Sequence, residues 1–97
     1  MKFIVGQYEY PAERADMTIS DSSISFTIFI NDLTVDPVDM AAKIMPIIDQ
    51  GFTIQIGDID RFYAGFTIDT IRQNLEEKYS NIIIDMTKGE INSTEER

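Results

Sequence analysis

TIDTIRQNLEEKYS, residues 67–80, is the stretch on which the reading of this chain turns. Thr67 is a good N-cap, and Ile68, Ile71, Leu75 and Tyr79 recur at the three- and four-residue spacing of one helix face. Asp69 near the start and Lys78 near the end both suit a helix dipole. Ser80-Asn81 stops the pattern. The spacing therefore predicts a helix here, followed by a strand over 82–87 that ends at Lys88-Gly89.

Working back from that helix, Phe52, Ile54 and Ile56 alternate as a strand that turns at residues 57–60. A further strand over 61–66 is weakened by Gly65. Asp36-Pro37 starts an earlier helix, since Asp caps and Pro fits the first helical position. Its apolar stripe reads Val38, Ala41, Ala42, Met45 and Ile48. Pro46 kinks or ends it, and Gly51 is the latest plausible stop. Residues 16–20 and 24–30 alternate around Asp21-Ser22-Ser23, as in a hairpin. Ile24, Phe26, Ile28 and Ile30 share one face of the second strand, and Ser25, Thr27 and Phe29 the other. Residues 2–9 read as a strand ending before Pro11.

From residue 24 the order is strand, helix, strand, strand, helix, strand. This predicts an α+β fold: an antiparallel-rich sheet with two helices on one face. The core is a ferredoxin-like β-α-β-β-α-β arrangement with extra N-terminal strands. Residues 1–88 form one domain in this reading, and 89–97, ending INSTEER, form a flexible tail. A central strand 24–30 with core neighbours on both sides leaves no obvious place for 16–20.

Charge is the main functional lead. Seventeen acids face eight bases, a net charge of −9. The excess is concentrated in residues 16–60, which hold eight Asp against Lys43 alone. Such a chain repels nucleic acid and anionic lipid, and a basic protein surface is its natural counterpart. The N-terminus has neither the pattern of a signal peptide nor a membrane span, and there is no cysteine, which fits a reducing cytoplasm.

Histidine and cysteine are both absent, so the commonest bases and nucleophiles are missing. The five glycines stand singly, so no phosphate-cradling loop exists. Asp58-Ile59-Asp60 offers alternating carboxylates to a hard cation, but no further ligands follow Arg61. The reading is therefore a non-enzymatic protein without metal or cofactor.

In the ferredoxin-like topology, the loop after strand 24–30 and the turn after strand 52–56 reach the same end of the sheet. That would bring Asp32, Asp36 and Asp39 beside Asp58 and Asp60 as a negative pole for a basic protein partner. An inhibitor, immunity protein or antitoxin directed at a nucleic-acid-binding protein fits such a pole. Capping and turn roles explain the same residues without any partner. The acidic binder is a monomer or a homodimer; the alternative function is an assembly subunit that builds an oligomer. It would associate through the uncovered sheet face bearing Phe29, Tyr63 and Ile83, or through strand 82–87 as an edge guarded only by Asp85. Aromatics on a sheet face also serve RNA-binding modules, but here no basic rim exists to hold phosphates.

Overall fold

Strand β3 (Ile24–Ile30) is the centre of the architecture. Its alternation of apolar and polar residues puts Phe26, Ile28 and Ile30 in the core and Ser25, Thr27 and Phe29 on the outer face. The computed structural model describes residues 1–76 and 81–88. Around β3 lie β1 (Lys2–Val5), β2 (Tyr8–Ile19), β4 (Phe52–Ile56), β5 (Ile59–Tyr63), β6 (Thr67–Gln73) and β7 (Ile82–Lys88). They form one sheet in the order β5-β4-β1-β2-β3-β7-β6, and every neighbouring pair is antiparallel.

This sheet does not lie flat. β3 and β5 are four strand spacings apart in the order, about 19 Å in a flat sheet. Yet the rings of Phe26 and Tyr63 meet with centroids 4.9 Å apart. Residues 64–66 alone join the two edge strands, β5 to β6. Four Cα–Cα steps reach at most about 15 Å, against about 29 Å across seven flat strands. The sheet therefore folds over on itself. One corner lies in β2, whose first part pairs with β1 and whose remainder pairs with β3, with a bulge between Ala12 and Arg14. The other lies at the 64–66 linker, where Gly65 takes φ +86°. Corners of this kind, made by a bulge or bend, let one sheet become two facing layers.

Between the layers sits a single apolar cluster. Phe3, Phe52, Ile28, Ile30, Ile82, Ile84 and Met86 are fully buried, and each contributes about 1.5–3 kcal/mol through burial. Phe26, Phe52 and Phe66 pack edge to face, joining both layers.

Helix α1 (Pro37–Ile44) closes one end. Asp36 caps it, accepting the Val38 N–H at 3.4 Å, with Pro37 in the first turn. Met40 and Ile44 are its buried residues; of the expected stripe Val38 is 76% and Met45 49% exposed, and Ile48 is buried, in the turn that follows the helix. Met40 and Ile44, one turn apart and larger than Ala41 and Ala42, fill the core, while Asp39 and Lys43 pair on the exposed side. Pro46 ends the helix, and a 3-10 turn (Ile48–Gln50) leads to Gly51. Ile47 Cδ1 lies 3.0 Å from where a Cβ on Gly6 would stand, so this segment covers the end of the roll at the β1–β2 turn. Lys43 lies over the Tyr8 ring there, 5.7 Å from its centroid. Burial pushes the neighbouring Tyr10 phenol up in pKa, against the lowering pull of Lys43.

The ferredoxin-like expectation is therefore wrong, and residues 67–80 are why. Thr67–Gln73 is a strand, β6, paired along β7, and α1 is the one α-helix among the described residues. A bulge between Ile68 and Thr70 inserts Asp69 as an extra residue. Ile68 pairs with Met86 and Ile71 with Ile84, so both face inward although three residues apart. The bulge imitates helical spacing. Leu75, expected on the same stripe, is 86% exposed, while Lys78 and Tyr79 lie outside the described residues. The expected N-terminal strand 2–9 is a hairpin turning at Gly6, and 16–20 belongs to the end of β2. β2 takes one side of β3 and β7 the other, so β7 is an interior strand and not an edge. The expected tail, 89–97, lies outside the described residues.

Candidate functional site

The acidic residues singled out by the sequence fall into two groups. In the 31–36 loop, Asp32 accepts both the backbone N–H (2.9 Å) and the hydroxyl (2.6 Å) of Thr34. Those two bonds hold its carboxyl below the usual aspartate pKa. Asp36 caps α1, and Asp39 in the first turn pairs with Lys43 at 2.9 Å. The Asp39 bond and charge together raise the Lys43 pKa. In the second group, Asp58 sits in the β4–β5 turn after Gly57 (φ +61°), and Asp60 accepts from Gln55 Nε2 at 3.1 Å. Among the described residues, Lys43 is the only ion-pair partner of these five.

Convergence of the two groups was expected because β3 and β4 were to deliver the chain to one end. In the observed order β4, β1, β2 and β3 are successive antiparallel neighbours, so β3 and β4 run in opposite senses. The topology brings Asp32, Asp36 and Asp39 together on one segment, and Asp58 and Asp60 on another. It supplies no crossover joining the two.

Of the three residues expected on an uncovered face, two share it. Phe29 and Ile83 are register partners on the outer side of β3 and β7. Arg14 lies over the Phe29 ring at 4.2 Å, and Ile83 is only 7% exposed. Tyr63 faces the other way, into the core, stacked on Phe52 with centroids 5.5 Å apart. Strand 82–88 has neighbours on both sides, so among the described residues the edge strands are β5 and β6.

The outer face of β2, β3, β7 and β6 is a bonded polar lattice. Asp16, Thr27, Asp85 and Thr70 lie in one row across it. Asp85 accepts from Thr27 (3.1 Å) and Thr70 (2.9 Å), and from Arg72 (3.3 Å) in the next row. Thr87 donates to Asp69, the bulge residue.

Sequence reasoning missed a cleft of about 330 Å³ at the end of the roll opposite α1. Its walls are the inner faces of β4 and β5 on one side and of β2 and β3 on the other. Ile54, Ile56, Ile59 and Tyr63 face Met17 and Phe26. Arg61 is the one charged side chain in the lining, which also includes Met1 and Ala15. Its inward direction follows from register: Arg61 pairs with Ile54, and Ile54 with Phe3, both core residues. Asp60 and Phe62 face outward, and Arg61 makes no ion pair with any described residue. The signal was present as alternation, because Arg61 shares its period of two with Ile59 and Tyr63.

Among the described residues no group of three or more acids is disposed to hold a metal ion. No described helix is long and apolar enough to cross a membrane. Searches of protein-family models, of curated proteins and of solved structures find no match to this chain.

Proposed function

We propose that this chain is a small non-enzymatic binding module whose acidic loops engage a basic protein, as an inhibitor or antitoxin does. The observation that carries this reading is the poor neutralisation of the two acidic segments. Five aspartates at 32, 36, 39, 58 and 60 have Lys43 as their single ion-pair partner among the described residues, on a chain of net charge −9. Exposed uncompensated charge steers association and selects a partner of opposite sign. Each segment offers its own negative patch, so a partner needs two basic contacts or one broad basic surface. The absence of cysteine suits a cytoplasmic setting.

The test is capture at graded salt by the wild-type chain and by a variant with Asp32, Asp36, Asp58 and Asp60 changed to Asn. The expected result is a retained basic protein whose binding falls with salt and is lost in the variant. Identical retention by both proteins at low and high salt overturns the reading. Self-association is a second reading, favoured by β5, an edge strand among the described residues, where Ile59 is 59% and Phe62 64% exposed. Light scattering on the same samples separates the two, a stable oligomer with no captured partner favouring the second.

A further inference from the structure

Arg61 points to the inner side of the rolled sheet and is nevertheless exposed, at the open mouth of the cleft. In β5 the outward positions are Asp60 and Phe62, while Arg61 shares the inward side with Ile59 and Tyr63. Its register neighbour Ile54 is 5% exposed. An exposed guanidinium at the mouth of an apolar cleft, with no ion-pair partner among the described residues, keeps five N–H donors available. Those donors favour an oxygen anion presented in a plane. The other side chains of the wall are aliphatic, aromatic or thioether: Met1 and Ala15 beside Met17, Phe26, Tyr63 and the three isoleucines 54, 56 and 59. A volume of about 330 Å³ lies at the small end of ligand sites, which run from roughly 300 to 1,000 Å³.

We propose that this cleft binds a small amphipathic monocarboxylate, its head on Arg61 and its medium-length apolar tail along Ile54, Ile56 and Met17. The rim explains itself in the same way. Met17, Ile56 and Ile59 are 47%, 54% and 59% exposed, three large apolar side chains left wet around one opening. Covering them with a tail removes that surface from water. The head carries one charge rather than two. A phosphate would bring about −1.5 to −2 charges to a single cationic side chain on a strongly acidic protein. A carboxylate matches the guanidinium one to one and bonds it through both oxygens.

The experiment is a methyl-detected NMR titration of the full chain with sodium decanoate, kept below its micelle concentration, and with decanol as an uncharged tail of equal length. Saturable shifts at Ile54, Ile56 and Ile59 are expected with decanoate. Arg61→Met keeps the apolar reach and removes the charge; it should weaken decanoate about tenfold or more, the worth of a charge-assisted contact. Decanol should bind the wild type more weakly than decanoate does, and Arg61→Met should leave its affinity unchanged. Unmoved cleft methyls overturn the proposal, as does equal binding of decanoate to both proteins. An unchanged wild-type spectrum for Arg61→Met outside the cleft excludes misfolding as the cause of a loss.

Discussion

The two layers of this molecule share one core and differ in how they treat their other surfaces. In the layer of β2, β3, β7 and β6 the strands are seven residues or longer. Its inner rows are buried isoleucine and methionine, and its outer face is tied by Asp85 to three donors from neighbouring strands. In the layer of β1, β4 and β5 the strands are four or five residues long. There the outer face shows Phe62, and the inner face falls away into an apolar cleft with a cation in its wall. The first layer is bonded across its outer face and buried along most of its inner one, opening only at Met17 and Ile19 near the end of β2, whereas the second is open along most of β5. Functional surfaces concentrate where a fold leaves apolar or charged groups without internal partners.

The sharpest way to break that contrast is to shorten one isoleucine in each layer. Ile84→Ala removes a fully buried side chain from the centre of the bonded layer and should cost about 2–5 kcal/mol. Ile59→Ala, at the cleft rim, should stay within roughly 0.5 kcal/mol of wild type. Urea denaturation of both variants checks this, and equal losses would erase the distinction between the layers.

A smaller effect is expected where the open layer begins. Gly51 has φ +118°, and a Cβ there would stand 2.1 Å from the Phe62 ring. Gly51→Ala therefore combines backbone strain, about 1–3 kcal/mol, with displacement of that ring. In Gly51→Ala/Phe62→Ala the steric part should vanish and the backbone part remain. Full additivity of the two substitutions in a double-mutant cycle would show that the ring is not pressed against the glycine.

The smallest effect belongs to Asp32. Its carboxyl is held low by Thr34, so the stabilisation it provides is present above the unfolded-state pKa and is lost as pH falls through the lower folded value. Thr34→Ala removes the hydroxyl bond and keeps the backbone one, so the Asp32 pKa should rise part of the way back. A carboxyl-carbon NMR titration reads it directly, and an unshifted Asp32 in the variant would remove the hydroxyl from the account.

Parts of this fold are legible in the sequence because they obey one local rule each. Alternation over 24–30 assigns both faces of β3, Asp21-Ser22-Ser23 marks the hairpin, and Asp36-Pro37 fixes where α1 starts. The errors fall where two rules compete. At Ile68 and Ile71 a bulge residue restores inward facing after three positions, a spacing that a helix also produces. In β2, Pro11 and a second bulge break a 12-residue strand into apparent fragments. The local roles of the acidic residues were readable as caps and turns. Their mutual placement depended on strand order, which no local pattern encodes. Gly65 weakens the expected strand over 61–66, and the inward place of Arg61 follows only once that strand is seen to begin at Ile59 and end at Tyr63.

The central position of β3 also carries a consequence in time. Its partner on one side, β2, is its neighbour in sequence, but its partner on the other, β7, lies far along the chain; Thr27 and Asp85 bond across a separation of 58 residues. Until that distant segment arrives, β3 presents a bare row of amides beside Phe26 and Ile28. Long-range strand pairing of this kind closes slowly, and an unpaired apolar border invites joining to another molecule. The most protected strand of the finished protein is thus the most vulnerable one while it is being made.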